Sequence, residues 1–146
     1  MTEFDIQNTL FGIFRKLNDF SGIQYLKTDG DGNFTNAHFP NAPFSVPDSK
    51  RYFDLTFRSN EPEQSAILDD SQIRLYGVLY IDIVTPLDSG EDEAESKYRW
   101  IARLFNANEY TDDVAIVKVY ISTKGNEADC YRLQCAIEWE ADIDKE

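Results

Sequence analysis

Residues 73–105 read IRLYGVLYIDIVTPLDSGEDEAESKYRWIARLF, and this stretch decides the fold. Ile73, Leu75, Leu79, Ile81 and Ile83 fall on alternate positions, with Arg74, Tyr76, Tyr80 and Asp82 between them and Val78 and Val84 among these. Alternation over that length predicts a long strand with one buried and one wetter face. Pro86 has no N–H for a sheet ladder, so the strand must stop there. Asp88 or Ser89 is then placed to cap a helix, and Glu91, Asp92 and Glu93 suit its positive N-terminal end. Along that helix Ala94, Tyr98, Ile101, Ala102 and Phe105 share one face, which must find a sheet to cover.

Working toward the N-terminus, Lys50–Ser59 alternates as a strand, with Tyr52, Asp54 and Thr56 opposite Phe53, Leu55 and Phe57. Asn60–Ser71 reads as a polar, acidic loop around Pro62. Before the strand, residues 38–47 (HFPNAPFSVP) carry three prolines, which enforce an extended path. Thr28–Asn33 (TDGDGN) has turn chemistry. It also opens like a calcium loop, but Phe34 stands where the bend needs glycine and Pro40 where a bidentate Glu should sit, so a surface turn is expected. The chain starts with a helix over about Glu3–Asn18, its stripe made by Ile6, Leu10, Ile13, Phe14 and Leu17, with Thr2 and Asp5 arranged as a capping pair.

Toward the C-terminus two closing strands are expected. In the first, Ala115, Val117, Val119 and Ile121 oppose Val114, Ile116, Lys118 and Tyr120; Lys124–Asn126 forms the turn. In the second, Tyr131, Leu133, Cys135, Ile137 and Trp139 oppose Arg132, Gln134, Glu138 and Glu140. Asp142–Glu146 reads as an acidic, frayed tail. Helices at two places among directly linked strands predict an α+β fold, a mainly antiparallel sheet of four or more strands with two helices packed on one face. A single domain over residues 1–146 suits the length.

Composition narrows the function classes. Twenty-seven acidic against 14 basic residues leave a net charge of −13, which argues against a binder of nucleic-acid phosphates. An acidic coat reads first as a solubility device; the sharper readings are an inhibitor that mimics DNA or the wall of a channel that DNA crosses without sticking. No apolar run approaches the roughly 20 residues of a membrane span, and the N-terminus lacks signal-peptide character, so no membrane role and a cytosolic start are expected. Cys130 and Cys135 are expected as reduced, partly buried thiols; if they shared a strand, an odd separation would put them on opposite faces, too far apart to bridge. His38 is the sole histidine and has no activated nucleophile beside it in sequence. There is no phosphate-binding glycine loop, no GxSxG elbow and no HExxH. The expectation is a non-enzyme with no catalytic residues, no metal site and no cofactor.

What remains is aromatic surface. Tyr52, Tyr76, Tyr80, Tyr120 and Trp139 are placed as strand aromatics away from the helices. Either a neighbouring subunit covers them or loops such as Asn60–Ser71 fold over that face. Phe39, Pro40, Pro43, Phe44, Tyr76 and Tyr80 are the candidate contact residues, with the alternative that Phe39 and Phe44 belong to the monomer core.

The order of these pieces resembles the tail terminator family of long-tailed bacteriophages, the lambda U-like group with its prophage relatives. The resemblance rests on the N-terminal helix, on Phe39-Pro40-Asn41 leading to Pro43-Phe44 and Pro47, and on RLYGVLYI from Arg74. It continues through Thr85-Pro86 with Gly90, the helix ending at Leu104-Phe105 and a final strand with Tyr and Trp. It implies a virion structural protein that caps the growing tail tube. It also implies a hexameric ring, with the tail tube protein below, a head–tail completion protein above and DNA crossing the lumen. Assembly in the host cytoplasm and residence in the virion tail would follow, and the candidate contacts would serve subunits or the tube. Another head–tail connector and an acidic DNA mimic are the alternatives.

Overall fold

A computed structural model describes residues 2–59, 66–67 and 72–144. The expected loop over residues 60–71 lies outside these, apart from a two-residue strand. In chain order the elements are α1 (Glu3–Phe14), α2 (Leu17–Ser21), β1 (Ala37–His38), β2 (Tyr52–Ser59), β3 (Ala66–Ile67), β4 (Gln72–Thr85), α3 (Gly90–Ala107), β5 (Tyr110–Thr111), β6 (Val114–Asn126) and β7 (Tyr131–Asp144). The strands form one sheet in the order β1-β2-β4-β7-β6-β5, with β3 also paired to β4. Among the described residues only the β1–β2 pairing is parallel. The α+β expectation holds, with a third short helix and three two-residue strands added.

The long strand forms as its alternation requires. Leu75, Leu79, Ile81 and Ile83 of β4 are fully buried and lie in register with Ala141, Ile137, Cys135 and Leu133 of β7. Phe53 and Leu55 of β2 pair with Ile83 and Ile81 and extend the same face. Helices α1 and α3 cover it with Ile6, Leu10, Phe14, Ile101 and Phe105. Burying such side chains contributes roughly 1.5–3 kcal/mol each before entropy is charged.

The ends of the elements follow local chemistry. Thr2 Oγ1 accepts from Asp5 N at 3.2 Å and Asp5 Oδ2 accepts from Thr2 N at 2.9 Å, the expected reciprocal cap. The first helix breaks at Arg15–Lys16, where Lys16 N donates to Ile13 O, and the chain re-enters helix until Gly22 ends it at φ 73°. Ser89 occupies the N-cap of α3, but its hydroxyl donates to Pro86 O rather than accepting from the helix, so no side chain caps that end. Lys50 has φ 57°, which keeps it out of β2. Asp29 Oδ1 accepts from the amides of Asp31 and Asn33, so a carboxylate oxygen of TDGDGN serves its own turn.

Three C-terminal expectations are corrected. Strict alternation in β6 fails because the register slips between Ile116 and Lys118 and again between Ile121 and Thr123. Val117 and Ser122 are thus extra residues of β-bulges. Val114, Ile116, Val119 and Ile121 consequently pack toward the helices, and Val117 is exposed. The strand runs on through Asn126, so the turn falls at Glu127–Cys130, closed by Glu127 N donating to Cys130 O. The acidic end does not fray at Asp142, which belongs to β7 and binds Arg74 at 3.0 Å. Cys130 and Cys135 are both free and buried, but Cys130 precedes β7 and the two do not share a strand.

Trp139 is also corrected. It is 1% exposed and belongs to the core, lying in register with Gly77 and stacked on Phe57 at 5.3 Å. Its Nε1 has no hydrogen-bond partner, so packing rather than a polar anchor holds the indole.

Candidate functional site

Among the described residues, all three helices lie on one face of the sheet and none covers the other, whose side chains follow from the register. The Asn60–Ser71 segment expected as an alternative cover lies outside those residues apart from Ala66–Ile67. Four cross-strand rows define it. Tyr52, Val84 and Arg132 form the first; Asp54, Asp82 and Gln134 the second; Thr56, Tyr80, Ala136 and Tyr120 the third; Arg58, Val78, Glu138 and Lys118 the fourth. Tyr76 lies beside Glu140, and Arg74 beside Asp142, further along. Ala136, though on this face, is fully buried between Tyr80 and Tyr120. Tyrosines and ion pairs therefore supply the monomer's own partial cover.

The charges on the face are organised. Arg132 Nη1 donates to Asp82 Oδ2 at 2.7 Å and its Nε to Glu127 at 3.2 Å; Gln134 donates to Asp82 at 2.9 Å. Burial opposes the Arg132 charge, but these carboxylates outweigh it and hold the guanidinium more firmly protonated than usual. Lys118 lies over the Tyr120 ring at 4.8 Å. The hydrogen bond to Glu138 raises the Tyr120 phenol, so the ring stays neutral.

The six candidate contact residues separate. Tyr76 and Tyr80 are half-buried on the open face, four residues or about 13 Å apart along β4. Phe44 is half-buried at the β1–β2 corner, stacked on His38 at 5.0 Å and 5.5 Å from Tyr52. His38 in turn sits 3.2 Å from Asp54. Pro43 is exposed and Pro40 half-buried. Phe39 points the other way. It is 8% exposed and meets Phe11, Phe14 and Phe34 at 5.2, 6.2 and 5.6 Å, with Arg15 over its ring at 4.7 Å. Phe39 is therefore a core residue, because alternate residues of an extended segment face opposite sides and its side faces α1.

Sequence reasoning missed a second feature, a cavity of about 700 Å³ between the proline segment, the chain before β1 and the start of α3. Glu93 and Lys97 of α3 line it, with Lys27, Arg51 and Val46. Lys97 is 8% exposed; its Nζ donates to Glu93 Oε2 at 3.1 Å and lies 5.6 Å from the Phe53 ring. Arg51 Nε donates to both Glu93 oxygens, at 3.1 and 3.0 Å. Burial works against the Glu93 charge, but Lys97 and Arg51 overcome it and hold the carboxyl below its ordinary range. Burial pulls Lys97 down more than Glu93 raises it. No sequence motif could announce this cluster, because its members come from three separate segments.

The signs of these shifts give a prediction. A lowered carboxylate contributes stability that is present above its unfolded pKa and lost as pH falls through the folded one. A lowered lysine contributes in the opposite sense, since its charged form is the one the fold disfavours. Glu93→Gln should therefore lose about 2 kcal/mol at pH 7, because it leaves Lys97 buried without a counter-charge. Lys97→Met should stay within about 1 kcal/mol, because Arg51 still neutralises Glu93 and the desolvation cost disappears. Denaturant melts of both variants at pH 7 and pH 4 check the asymmetry, which should shrink at the lower pH.

A family model described as phage tail terminator protein matches residues 33–139, which takes in everything from the turn before β1 to Trp139. No curated protein matches the chain. A solved structure whose printed name states no function superposes over 96% of this chain and 98% of its own, with a TM-score of 0.61 and 14% identity. At that identity the likeness shows the fold alone. No helix among the described residues is long and apolar enough to cross a membrane, and no described group of His, Cys, Asp or Glu is arranged to hold a metal ion.

Proposed function

Since the chain belongs to the phage tail terminator family, we propose that it caps the growing tail tube, stops its polymerisation and forms the junction to the head-completion proteins. It acts by assembly rather than by catalysis. The observation that carries the reading is the family match over residues 33–139, from before β1 into β7, and the open face with Tyr76, Tyr80 and Tyr120 supports it. Such a face, half apolar and half ion-paired, suits a contact that forms late on a preassembled surface. Its partners are copies of itself in a closed hexameric ring, the tail tube protein on one side and a head–tail completion protein on the other. The net charge of −13 supports a lumen that DNA crosses without specific binding, because phosphate is repelled from the wall. Assembly takes place in the host cytoplasm, and the product stays in the virion tail.

Purified tail tubes test this. The chain should bind only at tube ends and stop further addition of tube subunits. Tyr76→Ala with Tyr80→Ala should weaken self-association or end binding by about 2 kcal/mol or more, at a folding cost of about 1 kcal/mol each. Binding along the tube walls, or end binding that lets elongation continue, would contradict the reading.

A further inference from the structure

The cationic cavity and the most exposed aromatic side chain lie at opposite edges of the sheet. The cavity is built against β1 and β2, whereas Tyr110 belongs to β5 at the far end of the strand order. β5 and β6 are joined by Asp112 and Asp113, with Thr111 paired to Val114. Both aspartates are left-handed, at φ 48° and 66°, which makes a tight two-residue hairpin that asparagine or glycine would ordinarily occupy. The turn therefore carries two exposed carboxylates at a fixed spacing, beside a Tyr110 that is 70% exposed.

The cavity offers the complement. Lys97 and Arg51 both bind Glu93, and Lys27 lines the same cavity without an ion-pair partner among the described residues. In a chain with 13 more acids than bases, three cations lining one cavity that holds a single inner carboxylate are a local inversion of charge. Asp48 at the rim leaves the lining positive by one. Val46, 57% exposed, gives the rim an apolar spot for a ring. The volume of about 700 Å³ is that of ordinary ligand pockets, large enough for a hairpin tip.

We propose that the Tyr110–Asp113 hairpin of one copy docks in the Lys27–Arg51–Lys97 cavity of the next. Asp112 and Asp113 meet the cations, and Tyr110 lies against Val46. Surfaces on opposite edges make a head-to-tail contact, which closes into a ring when the rotation fits. Charge sets the register of such a contact and rejects other approaches. The inference rests on the ring reading above and names the contact that would build the ring.

The test uses the full chain under conditions where it self-associates or sits on tube ends. Zero-length carbodiimide coupling followed by peptide mapping should join Lys27 of one copy to Asp112 or Asp113 of another. Asp112→Asn with Asp113→Asn keeps residues that tolerate the left-handed turn and removes both charges. That double variant, and Lys27→Glu separately, should each weaken association at least roughly tenfold. Their circular dichroism should match the unaltered chain, since all three residues are exposed. Combining Lys27→Glu with Asp112→Asn and Asp113→Asn should weaken association no more than Lys27→Glu does alone, because both remove the same contact. Assembly at unaltered affinity by both variants, with couplings mapped elsewhere, overturns this contact and leaves the ring standing. If the unaltered chain neither self-associates nor binds tube ends, the ring reading falls and the contact falls with it.

Discussion

Phe39→Ala is expected to lower folding stability by about 4 kcal/mol, the range for a buried phenylalanine. The ring is 8% exposed and sits among Phe11, Phe14 and Phe34, so its removal leaves a cavity that α1 cannot collapse into without losing Leu10 and Phe14 from the sheet. At roughly 4 °C per kcal/mol for a domain of this size, the melting temperature should fall by about 15 °C. Phe44→Ala should behave differently. That ring covers His38 and Tyr52 at a corner, and its loss should cost about 1 kcal/mol of stability. Any assembly defect beyond that would assign Phe44 to a contact. Thermal melts of the two variants side by side separate the cases. Equal, small shifts would show that Phe39 is not core.

Gly77→Ala is the second large effect. A Cβ at Gly77 would meet the Trp139 ring and the Arg58 carbonyl closer than any van der Waals contact permits. The carbonyl is backbone of β2 and cannot yield without breaking the β2–β4 ladder, where Ser59 pairs with Gly77. The indole is wedged between Gly77 and Phe57 and has no room to retreat. Overpacking of this kind costs about 3 kcal/mol. Adding Trp139→Leu to Gly77→Ala should cost less than the sum of the two changes, because the smaller side chain relieves part of the clash. A Gly77→Ala variant that melts within a degree or two of the unaltered chain would show that β4 and β7 accommodate the methyl. The glycine is thus required by close approach rather than by backbone conformation.

These two positions show what the sequence makes readable. β4 and α3 are legible because their periods run unbroken, alternating over Leu75–Ile83 and helical from Ala94 to Phe105. The same alternation correctly put Leu133, Cys135 and Ile137 on one face, and Trp139 shares their parity. Treating Trp139 as an exposed aromatic ignored that parity. β6 misled because each bulge inserts one residue without any compositional mark, so the side chains from Lys118 to Ile121 change face and those beyond Ser122 change back. The break at Arg15–Lys16 was hidden because Leu17 continues the apolar stripe across it. The two-residue strands β1, β3 and β5 are too short for any period to register.

The candidate site was half legible for similar reasons. Tyr76 and Tyr80 follow from β4's alternation and do lie on the uncovered face. Phe39 and Phe44 both follow from the proline segment, but an extended path does not say which ring turns inward. The inward turn comes from β1, whose parallel pairing to β2 sets Ala37 beside Phe53 and so aims Phe39 at the helices. The cavity around Lys97 depends on α3, the proline segment and the chain before β1 meeting in space, which no local pattern records.

The most direct measurement of the central claim is the length distribution of tails made without this chain. Electron microscopy of particles from a host carrying a deletion of its coding sequence should show tubes that overrun the normal length and lack heads. Restoring the chain should return a single length with heads attached. Headless tails of normal, uniform length in the deletion would contradict the capping function and place the protein elsewhere in the virion.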